Sequence, residues 1–325
     1  MKKFLIKIIC FIGFPLVALL GIYIIDDPFK VVKPFSLDYV SKINRGYVST
    51  ELFIRNYSKY KYDSFIFGSS RVSALNSYQW KEYLSEGSIP FVYQAWSEKL
   101  TGVYQKMCFL DDNNIEIRNV IIVLDIPGSF SFPQEMNDAE SIPHYRIAEK
   151  RIGKCKLYYQ YIFFKTYLTP TKIAVSCKDI FVKNKSFALT ADSISNDYNV
   201  LNRDNYKIRP IQDKTLDKSE FYEKGIVETY SDIMINANLL LKLQKIKEIL
   251  VKNKTKYAII ISPNYSEMHI NMEDLKILTD IFGEEHVYNY TGKNEINSDK
   301  YNFYDISHFD ANIGWDIIED IKFNF

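Results

Sequence analysis

Downstream of residue 60, the apolar positions of the chain alternate between two spacings. Short, continuously apolar runs are typical of strands buried on both faces, and longer stretches with one apolar face are typical of helices. The predicted strands are residues 62–67, 91–96, 119–125, 257–264 and 286–290. The predicted helices are residues 75–86, 98–112, 230–253 and 272–282, and a last helix that begins at about Ala311 and is capped by Asp310. Consecutive predicted strands are therefore separated by single helices.

This alternation predicts an α/β fold. A helix between consecutive strands makes βαβ units, in which the strands are parallel and the crossovers right-handed. We expect a three-layer α/β/α sandwich with about five parallel strands.

Residues 126–225 break the alternation. They contain five prolines and an aromatic stretch, KLYYQYIFFKTYL, at residues 156–168. The prolines are Pro127, Pro133, Pro143, Pro170 and Pro210. We interpret the segment as an insertion with helices of its own. Its aromatic stretch fits three places: the core, a cover over a functional site, or a membrane surface.

The first 25 residues form the most apolar segment of the chain. Residues 8–25 are 18 positions without a charge, about the minimum that spans a bilayer. The run ends in GIYIIDDPF, which offers no small-x-small cleavage site, so the pattern favours one uncleaved transmembrane helix. Lysines at 2, 3 and 7 precede the run and aspartates at 26 and 27 follow it, which places the N-terminus in the cytoplasm. The alternative is a buried core helix, although such helices rarely lack a polar face.

The predicted organisation is therefore an anchor at 1–25, a juxtamembrane segment at 26–60 and an α/β domain at 61–325. The formal net charge is +1, from 41 basic and 40 acidic residues, and no basic tract is present. This excludes nucleic-acid binding through a global or local positive field. The chain has four cysteines without a CxxC spacing, and a pairing of Cys155 with Cys177 stays open.

Candidate chemistry begins at FIFGSSRVS, residues 65–73. Gly68, Ser69 and Ser70 directly follow the first predicted strand, and in open α/β sheets sites form at the carboxyl ends of the strands. Backbone N–H groups of a turn entering a helix are suited to stabilise a developing oxyanion. Taken alone, a strand that ends in Gly-Ser is common.

A serine nucleophile needs a base, and the chain has four histidines. His308 stands before the last helix, three residues after Asp305, and this offset allows the carboxylate to orient the imidazole as in a Ser-His-Asp triad. Two alternatives are a capping or surface pair, and a metal site that includes Asp310. His144, His269 and His286 lack a close upstream acid and are weaker candidates.

These two blocks resemble the SGNH/GDSL hydrolase superfamily over residues 60–325. The resemblance implies a flavodoxin-like sandwich in which Ser70 is the nucleophile, Asp305 the acid and His308 the base. With the anchor, the Gly-Ser-Ser variant and the closing Tyr-Asp-x-x-His-Phe pattern, the chain is similar to a membrane-tethered branch of bacterial envelope proteins. That branch includes the D-alanyl-transfer protein of teichoic acid and acyltransferases encoded with surface polysaccharides.

The chain departs from the family in its oxyanion donors. The family has a glycine after the second strand and an asparagine after the third, where this chain reads YQAWSEKLTG and LDIPGSF. Ser97 and Gln94 are therefore the candidate donors beside the backbone N–H groups of Ser70 and Arg71. Arg71 itself is interpreted either as a structural or exposed ion pair, or as a group that holds a carboxylate or phosphate of the substrate.

The resemblance implies a serine esterase or O-acyltransferase that acts outside the cytoplasm on a cell-envelope glycan or polymer. An acyl carrier or a partner membrane acyltransferase would supply the acyl group, and neither a metal nor an organic cofactor is expected. The alternative is a non-catalytic binding or assembly module of a surface-polysaccharide pathway that keeps the fold.

Overall fold

The structure, a computed structural model, describes residues 2–33, 44–131, 142–147, 156–181, 192, 194–197, 221–225 and 227–325. The chain forms two compact units. Unit 1 comprises residues 1–48 and 134–190, and unit 2 comprises residues 49–133 and 191–325. Much of the predicted insertion, including Pro133, Cys155 and Pro210, lies outside the described residues.

Unit 2 is built on a five-stranded, fully parallel sheet. Its strands are β1 (Ser64–Phe67), β2 (Pro90–Val92), β3 (Asn119–Leu124), β4 (Lys256–Ile261) and β5 (Val287–Asn289). Their order is β2-β1-β3-β4-β5, which is the flavodoxin-like order of doubly wound folds. The five predicted strands and their parallel arrangement are therefore confirmed.

Helices cover both faces of this sheet. On one face lie α2 (Arg45–Tyr60), α4 (Leu100–Asp112), α7 (Ala237–Lys252) and α8 (Met272–Phe282). On the other lie a 3₁₀ helix (Ser70–Ala74), α3 (Ser77–Lys81) and α10 (Ala311–Ile321), which follows the short helix α9 (Glu295–Ser298). Alternate residues of β3 point to the two faces: Ile122 packs in the first apolar cluster and Ile121 in the second. Both faces of the strand are buried, which explains its continuous apolar run.

Two predicted helices differ from the observed ones. Residues 75–86 were predicted as one helix, but the 3₁₀ helix already occupies Ser70–Ala74 and α3 spans only Ser77–Lys81. The predicted helix at 230–253 begins only at Ala237, because Asn236 caps it through the N–H groups of residues 238 and 239. In contrast, α8 and the start of α10 fall where the sequence predicts them.

The predicted juxtamembrane segment ends in a helix that belongs partly to unit 2. Leu52 and Phe53 of α2 lie in the first apolar cluster of the α/β core. Phe53 packs against Phe65 of β1 and Phe91 of β2, with ring centroids 5.9 and 5.6 Å away. The second half of α2 therefore helps to close one face of the sheet.

Unit 1 contains three helices among its described residues. They are α1 (Lys2–Asp26), α5 (Lys156–Tyr167) and α6 (Pro170–Phe181). Tyr23 of α1 and Phe163 of α5 belong to one buried aromatic cluster of this unit. Among the described residues, no helix is long and apolar enough to cross a membrane. Cys177 is a free thiol, and Cys155 lies outside the described part of the chain.

Candidate active site

The candidate site lies where the strand order of the sheet reverses. β1 and β3 are neighbours, and the chain continues from β1 to one edge of the sheet and from β3 to the other. In open α/β sheets, ligands bind outside the carboxyl ends of the strands at such a point. Ser69 and Ser70 follow β1 and Asp125 follows β3, so these three polar residues come together there.

Gly68 makes the turn that presents Ser70. Its φ is +152°, and a Cβ there would lie 2.6 Å from Cγ1 of Val72 and 2.9 Å from the carbonyl oxygen of Val123. A side chain at this position would force these groups apart. Ser69 then caps the 3₁₀ helix, because its Oγ accepts the N–H of Arg71 at 3.2 Å. Ser70 is thereby fixed at the first position of that helix.

Ser70, His308 and Asp305 form a continuous hydrogen-bonded chain. Oγ of Ser70 lies 2.8 Å from Nε2 of His308, although the two residues are 238 positions apart. Nδ1 of His308 lies 2.9 and 3.0 Å from the two carboxylate oxygens of Asp305. A carboxylate can only accept, so Nδ1 carries the hydrogen and Nε2 is left to accept the proton of the Ser70 hydroxyl. The three predicted residues have the geometry of a Ser-His-Asp triad.

The acid and the base are aligned by a local hairpin. β6 (Phe303–Asp305) pairs antiparallel with β7 (His308–Phe309), and Asp305 is the direct partner of His308. Oδ1 of Asp305 also accepts the backbone N–H groups of Ser307 at 2.7 Å and His308 at 2.9 Å. The Asp305 side chain thus stabilises the turn between β6 and β7, as Asp side chains commonly do in turns.

These bonds determine the ionisation of Asp305. Partial burial acts to raise its pKa, but the bond from the His308 side chain and the backbone N–H of Ser307 outweigh it, so the pKa lies below its ordinary value. A carboxylate whose pKa is depressed on folding stabilises the folded state above the unfolded pKa, and this contribution is lost as the pH falls through the folded pKa. Asp305 therefore stays ionised throughout the neutral range.

A pH dependence of stability follows from this direction. The difference in unfolding free energy between the parent and Asp305→Asn is expected to be largest above about pH 4 and to shrink as the pH falls below it. Urea unfolding of both proteins between pH 3 and pH 7, monitored by circular dichroism, measures it. A difference that grows towards acid pH would contradict the assignment.

A second polar network distinguishes Ser69 from Ser70. The hydroxyl of Ser69 donates to Oδ2 of Asp125, and Oγ of Ser262 donates to Oδ1 of the same carboxylate at 2.8 Å. Ser69 is thus occupied as a structural donor, whereas the Ser70 hydroxyl bonds to His308. Ser262, which the sequence analysis missed, follows β4 as Ser69 follows β1. A small polar residue directly after a buried strand was the available signal.

Arg71 belongs to this second network. Its Nη1 donates to Oγ of Ser262 at 2.7 Å and to the carbonyl oxygen of Pro263 at 3.0 Å, and its Nε lies 3.7 Å from Oδ1 of Asp125. Its side chain is only 13% exposed. The structure shows the structural ion pair, which ties the residue after Ser70 to the ends of β3 and β4.

The two candidate donors after β2 have different surroundings. Gln94 is fully buried; its Oε1 accepts from Ser73 at 3.2 Å, and its Nε2 is buried without a partner among the described residues. Residues three apart on a 3₁₀ helix lie on one face, so Ser73 places the Gln94 amide on the face of Ser70. Ser97 is exposed, has a φ of +52°, and no described contact joins it to Ser70 or His308.

The glutamate beside Ser97 has no free carboxylate to offer a substrate. Glu98 is buried and forms an ion pair with Lys106, which also donates to the carbonyl oxygen of Tyr93 at 3.1 Å. Burial raises the pKa of Glu98, and the attraction of Lys106 opposes it. A buried pair of this kind fixes the loop between β2 and α4.

The metal interpretation has no support in the geometry. Asp310 caps α10, where its side chain accepts the N–H of Asn312 at 3.0 Å. Within the described residues, no group of three or more His, Cys, Asp or Glu side chains is placed to hold a metal ion.

The remaining histidines lie in other surroundings. His144 is buried in unit 1 against Tyr47, His269 stacks on Tyr230, and His286 lies beside Tyr257. His308 is therefore the histidine that the fold brings to Ser70.

Gly314 sets the distance between α10 and the turn that carries Ser70. A Cβ at position 314 would overlap the carbonyl oxygen of Ala74, the last residue of the 3₁₀ helix. Gly314→Ala is therefore expected to lower the unfolding free energy by about 1–3 kcal/mol, the usual range for overpacking. Chemical denaturation measures it. Gly128→Ala is the control, because its Cβ would meet only Cβ of Asp125 at 3.6 Å. Equal stability of the two variants would contradict the close packing.

No known protein-family model matches the chain, and no curated protein matches it either. The functional argument therefore depends on the geometry of the site.

Proposed function

We propose that the chain is a serine esterase or O-acyltransferase in which Ser70 is the nucleophile, His308 the general base and Asp305 the residue that orients His308. The observation that carries the proposal is the hydrogen-bonded chain from Ser70 Oγ through His308 to Asp305. It joins the three residue types of acyl-transfer triads, in the order of their roles, at the switch point of the sheet. The resemblance of the sequence to SGNH hydrolases supports the same proposal.

The chemistry has two balanced halves. Oγ of Ser70 attacks the carbonyl carbon of an ester or thioester while its proton passes to Nε2 of His308. The tetrahedral intermediate then expels the alcohol or thiol, which takes that proton, and an acyl-serine remains. In the second half, water or a sugar hydroxyl gives its proton to His308 and attacks the acyl carbon. The tetrahedral intermediate then expels Oγ of Ser70, which takes that proton back from His308. The acceptor we propose is a cell-envelope glycan or polymer.

A serine-reactive phosphonate probe tests the nucleophile directly. We expect covalent labelling of the purified chain at Ser70, mapped by mass spectrometry of peptides. Labelling at Ser69 or at any other residue would contradict the assignment.

The oxyanion donors we propose are the backbone N–H of Ser70 and the side-chain amide of Gln94. Gln94→Glu keeps an oxygen for the Ser73 bond but replaces the N–H donor with an acceptor. It is expected to lower kcat by about 10²- to 10³-fold, the usual effect of losing one donor, with a small change in KM. Steady-state hydrolysis of an aryl ester measures both. Ser73→Ala, which removes only the orienting bond, should lose less, and equal losses would argue against Gln94 as a donor.

We also propose that α1 attaches the chain to a membrane, with the α/β unit outside the cytoplasm. The support for this attachment is the sequence, in which residues 8–25 carry no charge, about the minimum length that spans a bilayer core. Large apolar side chains of α1, including Phe11, Phe14 and Val17, are exposed. A reporter fused after Phe325 is expected to be active outside the cytoplasm, and activity confined to the cytoplasm would contradict this topology.

The second candidate is a non-catalytic binding or assembly module. The exposure of Ser97 favours it, because no described contact brings this candidate donor to Ser70. If glycan acylation in cells is unchanged by Ser70→Ala but lost on deletion of the whole chain, the module is the better explanation.

A further inference from the structure

The two consecutive helices at residues 156–181, α5 and α6, form an aromatic segment in which α5 carries apolar side chains on opposite sides. One side of α5 is buried in unit 1 through Tyr159, Ile162, Phe163 and Tyr167. The other side exposes Leu157 and Tyr161, which are 79% and 59% exposed, and Leu168, directly after the helix, is 39% exposed. These three residues are four and seven positions apart and form one stripe. Exposed apolar side chains grouped in this way are typical of a surface that contacts a partner or a membrane.

The aromatic segment packs against the end of α1. The ring of Tyr23 lies 5.4 Å from that of Phe164 and 5.2 Å from that of Tyr167. Tyr23 stands in the last turn of α1, and Leu168 directly follows Tyr167. The exposed Ile24 and Ile25 of α1 thus belong to the same end of unit 1 as the connection between α5 and α6.

The net charge of the aromatic segment is positive. It carries Lys156, Lys165, Lys172 and Lys178 against the single acid Asp179. Three of the four lysines are exposed, and Lys172 lies over the ring of Phe29. Lysines beside exposed apolar side chains extend towards phosphate groups while their stems stay on apolar surface. This combination suits an anionic lipid surface.

We propose that the aromatic segment lies in the headgroup region of the same bilayer that α1 enters, with Leu157, Tyr161 and Leu168 against the acyl chains. The inference rests on the proposed membrane attachment of α1 and adds a second, interfacial contact. Two features select a lipid surface over a second copy of the chain: the positive charge, and the position beside the end of an apolar helix. The contact keeps unit 1 at the membrane surface.

Fluorescence quenching in proteoliposomes tests this contact on the full chain. Leu157→Trp and Leu168→Trp place reporters on the stripe, and Leu241→Trp, at an exposed leucine of unit 2, is the matched control. Vesicles combine zwitterionic phospholipid with anionic phosphatidylglycerol, with or without bromine on the acyl chains. We expect brominated lipid to reduce the added emission of the tryptophans at 157 and 168, but not at 241. A double charge reversal, Lys165→Glu with Lys178→Glu, should weaken the quenching in anionic vesicles and leave it unchanged in zwitterionic ones.

Extraction with alkaline carbonate separates the two proposals. If the chain resists extraction but the tryptophans at 157 and 168 are not quenched, the interfacial contact is wrong while the anchor stands. If carbonate releases the chain, the anchor is wrong, and the quenching at 157 and 168 decides separately whether the segment contacts lipid. Emission at 157 that depends on protein concentration and not on brominated lipid would show that a second copy covers the stripe, which overturns the proposal. Ester hydrolysis by the same preparations reports the catalytic proposal independently.

Discussion

Ser70→Ala is expected to abolish turnover of an aryl ester, with a loss of kcat of about 10⁴-fold or more, because triad serines in serine proteases contribute on that scale. The alanine removes the only oxygen that bonds to Nε2 of His308 among the described residues. Steady-state kinetics and phosphonate labelling measure the effect, and both signals should disappear together.

Ser307→Ala is the matched control for this experiment. Ser307 is exposed and contributes its backbone N–H to Asp305, which alanine retains. Its turnover and labelling should equal those of the parent. If Ser70→Ala folds as the parent does and keeps its turnover, Ser70 is not the nucleophile. If the parent itself has no turnover and no labelling, the binding module becomes the better explanation.

Asp305→Asn is expected to have the second largest effect, a loss of kcat of about 10⁴-fold at neutral pH by analogy with serine proteases. An asparagine amide can donate to Nδ1 of His308, which moves the ring hydrogen to Nε2. Nε2 can then no longer accept the proton of Ser70. The measurement is kcat over a range of pH, together with circular dichroism to establish folding.

Asp310→Asn is the control for this change, because asparagine caps helices as well as aspartate does. Residues of one triad act as a unit, so Ser70→Ala combined with Asp305→Asn should be no slower than Ser70→Ala alone. Additive losses would show that Asp305 acts elsewhere than through His308.

The sequence predicted the sheet well because β1, β2, β3 and most of β4 are buried on both faces. Residues 120–124 carry apolar side chains towards two separate clusters, so their run is unbroken and short. The pair of Asp305 and His308 was also predictable, since a local hairpin joins them and their spacing alone allows the contact.

Helix boundaries were less predictable because tertiary contacts determine them. The N–H groups of Met234 and Ile235 bond to the carboxylate of Asp274, at 2.8 and 3.0 Å, instead of continuing the helix backwards from Ala237. The pattern of apolar residues at 230–236 fits a helix, but it does not show a partner 40 positions away.

The network around Asp125 also depends on tertiary information, in this case the strand register. Leu124 pairs with Ile261, so the following residues, Asp125 and Ser262, become neighbours. A slip of one residue between β3 and β4 would separate them. Since hydropathy alone does not give the register between two buried strands, the sequence could not give the partners of Asp125.

The separation of Ser70 and His308 along the chain has a consequence for biosynthesis. The ribosome adds the base 238 residues after the nucleophile. A growing chain therefore carries Ser70 without the group that removes its proton. Under the proposed function, reactivity would appear only after residue 308 has been made and the Asp305–His308 hairpin has reached the turn that carries Ser70.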